Sequence, residues 1–237
     1  MKRCVLAILL VLLPAFAAQA ASITVKGNTI RFKDPAGFVN LDGTRYAHIA
    51  ADYRDAVDKD YRASHLYYSE EDIKAMDADK EGPGKFIAVM SFKDWVLQAY
   101  FKEYKQSLRD IYDPSKKLTN LAIEKSLGIF GETETDISVI VARKDSEEDE
   151  EYSQIYVATH MLRDRRLLIV AQYEEYTNAE RYEPFKKEAV ARLQSMNFPD
   201  PKTDALSTTV TAVASVSLLL VVAALGYGFY RFRPKKR

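Results

Sequence analysis

Residues 154–173 read Gln-Ile-Tyr-Val-Ala-Thr-His-Met-Leu-Arg-Asp-Arg-Arg-Leu-Leu-Ile-Val-Ala-Gln-Tyr. Two runs rich in Ile, Val and Tyr, 154–162 and 167–173, flank the charged group Arg163-Asp164-Arg165-Arg166. Such composition favours strands, and a connection this short joins strands only as an antiparallel hairpin. Upstream, Ile137 to Ala142 adds a third strand of the same kind. Downstream the period changes from two to about 3.6. Thr177 or Asn178 caps a last helix running to about Met196, with Tyr182, Phe185, Ala189 and Leu193 on one face. The stretch therefore predicts an antiparallel sheet covered by a helix.

The remaining elements are read outward from this unit. Ile23 to Val25 and Ile30 to Phe32, separated by a turn around Gly27-Asn28, form a small hairpin. Residues 48–60 space Ile49, Tyr53 and Val57 by four and are assigned to a helix, and His65 to Tyr68 to a short strand. Ser69-Glu70-Glu71-Asp72 fits a capping box and opens a helix to about Met76. Lys85 to Met90 reads as a buried strand. Ser91 to Asp94 caps a helix to about Asp110, with Trp95, Ala99, Phe101, Tyr104 and Leu108 as its apolar stripe. Pro114-Ser115 restarts a helix to about Leu127, ended by Gly128. No internal repeat is present. Runs of strands and helices of this kind define an α+β domain.

The turn Pro35-Ala36-Gly37-Phe38, then helices, then a late β-β-β-α unit ending at Leu193 to Phe198, resembles the PsbP-like α/β/α sandwich. The resemblance spans roughly residues 30–198 and rests on element order and one short motif. It implies an accessory or binding module and transfers no catalytic residue.

The two ends differ from the middle. Residues 1–20 have the form of a secretory signal: Lys2 and Arg3, the apolar run Val5 to Leu13, then Pro14 and Ala18-Gln19-Ala20. The single Cys4 precedes the apolar run, so it is not the lipidated cysteine of a lipoprotein signal, and it leaves with the leader. Residues 206–230, within an expected membrane segment 204–230, carry no charge. As a helix, 25 residues would be about 37 Å long, enough to cross a hydrocarbon core of roughly 30 Å. Arg231, Arg233, Lys235, Lys236 and Arg237 follow without an acid and place residues 231–237 in the cytoplasm. The alternative is a C-terminally processed surface protein, but residues 197–203 match neither a Leu-Pro-x-Thr-Gly nor a Pro-Glu-Pro sorting motif.

Charge follows this division. The whole chain is neutral, with 34 bases and 34 acids; residues 21–204 hold all 34 acids but only 27 bases, a balance of −7. An acidic exterior disfavours nucleic acid. The expected arrangement is an extracytoplasmic domain over 21–203 on a single-pass anchor in a bacterial inner membrane, facing the periplasm.

Motifs for chemistry are sparse. No nucleophile elbow, phosphate loop or dinucleotide fingerprint occurs. His48, His65 and His160 are isolated in sequence, and no catalytic, cofactor-binding or metal-ligating residue is assigned. Asp77-Ala78-Asp79-Lys80-Glu81-Gly82 has the start of a calcium loop, but Gly84 and Ala88 stand at its eighth and twelfth positions, so the bidentate Glu is missing. Asp145-Ser146-Glu147-Glu148-Asp149-Glu150-Glu151 is a solvated loop, with a docking site for a basic partner or a weak cation site as the alternative. The aromatics Tyr46, Tyr53, Tyr61, Tyr67, Tyr68, Trp95, Tyr100, Phe101, Tyr104 and Tyr112 are expected in the core, any excess lining a groove. The sequence thus favours a non-catalytic membrane-anchored binding or accessory module with a membrane-protein partner, against a carboxylate-dependent envelope hydrolase.

Overall fold

The structure is a computed structural model that describes residues 20–25, 27–57, 60–115 and 124–199. A hairpin, β1 (Ala20–Val25) and β2 (Asn28–Lys33), precedes a sheet built from seven strands. These are β3 (Phe38–Asn40), β4 (Tyr61–Ser69), β5 (Phe86–Phe92), β6 (Glu124–Phe130), β7 (Asp136–Arg143), β8 (Gln154–Arg163) and β9 (Arg166–Glu175). The order across the sheet is β3-β4-β5-β9-β8-β7-β6, and every pairing is antiparallel. Among the described residues four helices accompany it: α1 (Ala47–Ala56), α2 (Glu70–Asp77), α3 (Gln98–Ile111) and α4 (Tyr182–Ser195). The expected α+β class with a helix-covered antiparallel sheet is the one observed.

Alternation along the strands separates two faces. On one, Ala88, Met90, Val139, Val141, Tyr156, Ala158, Ile169 and Ala171 meet Tyr53 of α1 and Phe101 and Leu108 of α3. Each Val, Leu, Ile, Met or Phe among them withdrawn from water stabilises the fold by roughly 1.5–3 kcal/mol before entropy is counted. On the other, Ile87, Val89, Met161, Leu168 and Val170 meet Ile23, Val25, Ile30 and Phe32 of the hairpin, while Ile140, Ile155 and Val157 meet Phe185 and Ala189 of α4. The central strands are buried on both faces, which explains their nearly continuous apolar runs.

The 163–166 connection forms as expected. Arg163 pairs with Arg166, and Asp164 and Arg165 between them have φ of 47° and 60°. Two consecutive left-handed residues make a hairpin turn whose twist matches its strands. Ser69 caps α2, its Oγ accepting from the Asp72 N–H at 3.0 Å. The Asp72 carboxylate does not close the reciprocal box. It accepts from the N–H groups of Gly84 (2.8 Å) and Lys85 (3.0 Å), fastening the chain that enters β5.

Several boundaries are corrected. Glu124 to Leu127 belong to strand β6, not to a helix running from Pro114, because Glu124 to Ser126 pair with Val141 to Arg143 and pairing resumes at Gly128. The other residues of that expected helix, 116–123, lie outside the described ones. Ser91 and Phe92 continue β5, held by Arg62 and Tyr61, so α3 starts at Gln98 and Trp95 precedes it. β4 begins at Tyr61, α1 ends at Ala56, and a short 3-10 turn, Ala179–Arg181, capped by Asn178, precedes α4. Among the described residues no helix is long and apolar enough to cross a membrane. The expected signal (1–19, and the side chain of Ala20), the expected span 204–230 and the basic tail 231–237 lie outside them.

Candidate functional site

Three expected features resolve into structural roles. His65 Nδ1 faces Asn40 Nδ2 at 3.1 Å, and its Nε2 faces the Ser22 carbonyl at 3.0 Å. An amide N–H can only donate, so Nδ1 accepts and the Nε2 proton ties β4 to the hairpin. His160, on the opposite face, shares a 2.7 Å hydrogen bond with Tyr104 of α3 through Nδ1, while its buried Nε2 has no partner. Burial pulls its pKa down to about 3, so it stays neutral. His48 is exposed on α1. The histidines do not converge, and among the described residues no group of three His, Cys, Asp or Glu is placed to hold a metal.

The calcium-like segment is engaged elsewhere. Asp77 pairs with Arg45 and accepts from the Tyr46 hydroxyl at 2.7 Å, and that hydrogen bond is the main cause holding its carboxyl below the usual value. Gly82 lies against Asp72. In the acidic run, Asp149 Oδ2 accepts from the Ser146 N–H at 2.7 Å and Asp145 Oδ1 from the Ser153 hydroxyl, leaving Glu147 to Glu151 exposed. Beside the loop, Tyr152 meets Tyr176 edge-on and Tyr182 stacks with it, at centroid distances of 6.3 and 5.6 Å.

Most aromatic side chains are absorbed by the core. Tyr68, Phe86, Tyr173 and Tyr156 occupy registered positions on β4, β5, β9 and β8, with centroids 5.6, 4.4 and 5.0 Å apart in succession. This row of rings ends at a buried polar group. The Tyr156 hydroxyl donates to Glu124 Oε2 at 3.0 Å, whereas Glu124 Oε1 has no partner. Burial raises the Glu124 carboxyl to about 7, against the opposing pull of Arg143 and the Tyr156 hydrogen bond. Tyr112, at the end of α3, and Tyr156 are raised for the same reason of burial. Glu124 was read as a helical residue from sequence, and no local signal marks it.

A second feature lies at the surface. Trp95, the single tryptophan, is 48% exposed. It stacks over Arg166, whose guanidinium carbon is 4.7 Å from the ring centroid, and Arg165 lies at 5.8 Å. Arg166 is fully buried beneath it. Its Nη2 donates to the Val25 carbonyl at 2.9 Å, but Nε and Nη1 have no partner. The Val96 N–H donates to the Arg165 carbonyl at 2.9 Å and pins the Trp95 loop to the β8–β9 turn. The sequence placed Trp95 in the stripe of α3; only the extra length of β5 exposes it.

No protein-family model matches the chain, and neither does any curated protein. Solved structures do. The Saccharomyces cerevisiae Ran-binding protein Mog1p matches over 76% of this chain and 94% of its own, at 14% identity and a TM-score of 0.38. A Mog1 point mutant matches over 76% and 93%, at 15% identity and a TM-score of 0.37. These neighbours correct the expected resemblance to the PsbP-like sandwich. That resemblance rested on element order, and element order does not encode which strands pair; it also contained a helix where β6 stands. Likeness at this level says nothing of this chain's partners.

Proposed function

We propose that the chain is a single-pass, membrane-anchored binding module whose acidic α+β domain faces the periplasm of a bacterial envelope and docks a membrane-protein partner through the surface around Trp95. The docking half rests on one observation. A half-exposed indole stacks on a buried arginine that keeps two unpartnered nitrogens. Tryptophan and arginine are the residue types most enriched where interfaces concentrate their energy, and a large exposed apolar side chain supported from below loses little entropy on binding. The anchoring half rests on sequence: the leader of residues 1–20, the uncharged segment 206–230 and the five cations after it.

The hydrolase alternative needs a pair of convergent carboxylates. Glu124, whose carboxyl is raised, faces the phenol of Tyr156 and the guanidinium of Arg143, and nothing there favours that chemistry.

Co-purification in mild detergent tests the reading. The wild-type chain is expected to retain a membrane protein that Trp95→Ala loses at least tenfold, while both remain in the membrane fraction. A chain ending at residue 203 is expected to leave that fraction. Equal recovery with wild type and Trp95→Ala would overturn the docking surface, and an unchanged distribution of the shortened chain would overturn the anchor.

A further inference from the structure

Arg166 opens β9 and is fully buried, yet its guanidinium has little to hold. Nη2 donates to the Val25 carbonyl at 2.9 Å, a neutral acceptor. Nε and Nη1 have no hydrogen-bond partner among the described residues. Asp94 and Asp164 act on the cation through space, but neither accepts from these two nitrogens. A buried cation is stable when acceptors meet its N–H groups, and leaving them unmet is costly. The indole of Trp95, with its centroid 4.7 Å from the guanidinium carbon, answers the charge with a π face. That face offers nothing to N–H groups lying in the guanidinium plane. What the place lacks is an acceptor, and the strongest acceptor for arginine is a carboxylate.

The cover can move on a fixed loop. The Lys93 N–H donates to the Asp60 carbonyl at 3.0 Å and the Val96 N–H to the Arg165 carbonyl at 2.9 Å, so the backbone is pinned on either side of Trp95. Between these bonds the indole is half exposed and turns about its own side-chain bonds while the loop stays in place. Arg165, 5.8 Å from the same ring, adds a second cation at the rim.

Arg166 is bonded at Val25, next to the closed end of the β1–β2 hairpin. At the open end Ala20 stands opposite Lys33, whose N–H donates to the Met196 carbonyl at 2.7 Å, and Phe198 stacks on Phe32. The last described residues before the expected anchor therefore lie at the other end of a six-residue strand, about 17 Å away.

Resting on the anchored docking module described above, we propose that the Trp95–Arg166 site binds a carboxylate: the indole turns aside, and an aspartate or glutamate side chain from an acidic segment of the partner outside the membrane accepts from the unmet N–H groups of Arg166.

Two capped, water-soluble peptides, one of alternating Glu and Gly and one of alternating Gln and Gly, test the site by titration into the full chain in detergent micelles. Emission of the single indole is the readout. The Glu peptide is expected to give a saturable change at a concentration at least tenfold below that needed by the Gln peptide, and Arg166→Gln to lose that preference. No saturable change, equal responses to the two peptides, or an unchanged preference in Arg166→Gln would overturn the site. Should Arg166→Gln not fold, nitrogen-15 spectra of the wild-type chain decide. An arginine Nε–H resonance in contact with the indole that moves with the Glu peptide and not with the Gln peptide supports the site; one that moves with neither, or with both alike, overturns it. This failure differs from failure of the docking surface. A chain that retains its membrane protein through Trp95 but ignores the Glu peptide loses the carboxylate site and keeps the surface.

Discussion

Gly82 sits on the carboxylate that Asp72 sends across to the start of β5. A Cβ built on Gly82 would stand 2.4 Å from Asp72 Oδ1 and 2.8 Å from the Asp72 Cα. The close approach leaves the carboxylate aligned with the N–H groups of Gly84 and Lys85. Replacing Gly82 with Ala must push backbone as well as side chain, and is expected to cost about 1–3 kcal/mol. Gly43→Ala, with open space around its Cβ, serves as the control. Urea midpoints of the two variants check the difference.

Asp72→Ala removes the acceptor from two backbone N–H groups at once. Both donors are part-buried, so water partly replaces the lost acceptor and each lost bond costs about 0.5–1.5 kcal/mol. A loss of about 1–2 kcal/mol is expected, with Asp72→Asn intermediate because its carbonyl still accepts. Thermal unfolding measures both, at roughly 2–4 °C per kcal/mol for a domain of this size.

Two buried groups shape stability against pH in opposite directions. Glu124 is raised to about 7 in the folded state, so its contribution is present below the unfolded value of 4.5 and is lost as pH rises toward 7. His160 is lowered to about 3, so its contribution is present above 6.5 and is lost as pH falls toward 3. Between about 4.5 and 6.5 the two slopes offset each other. His160→Gln is expected to remove the rise between about pH 3 and 4.5 and expose a fall from there toward 7, and Glu124→Gln to leave a continuous rise up to about 6.5 with no fall beyond it. Urea midpoints taken across pH 3 to 8 give both limbs; identical curves for wild type and His160→Gln would contradict the assignment.

Trp95 is the only indole, so its fluorescence reports on one place. At 48% exposure it is expected to be quenched readily by iodide, and binding of a partner over it is expected to shift emission to shorter wavelength and cut quenching severalfold. Trp95→Ala is expected to cost under about 1 kcal/mol of stability, since a half-exposed cation–π pair contributes about 0.5–1 kcal/mol.

Arg165 holds a φ of 60° in the β8–β9 turn. Left-handed backbone costs a residue with a side chain about 1–2 kcal/mol that glycine avoids. Arg165→Gly is therefore expected to stabilise the domain by up to about 1 kcal/mol after the loss of its contact with Trp95. A lowered melting temperature would count against the turn as described.

Local chemistry made some of this architecture readable in advance. The β8–β9 hairpin, β7, the capped start of α2 and the face of α4 were legible because alternation, a short charged turn and an N-cap act over a few residues. The end of β5, the start of α3 and the whole of β6 were not. Their state depends on partners distant in sequence: Tyr61 and Arg62 for Ser91 and Phe92, and Val141 to Arg143 for Glu124 to Ser126. Local propensity is too weak to resist such pairing.

The candidate sites divide the same way. By itself the sequence determined the absence of known catalytic motifs, the acidic balance of residues 21–204 and the apolar and basic character of the C-terminal segment, because these are properties of composition and order. Only the tertiary structure decided that Trp95 lies outside with Arg166 beneath it, and that Glu124 lies inside against Tyr156. Exposure and desolvation belong to the packed chain: they are set by which elements cover a residue, and no residue carries that information in its neighbours along the sequence.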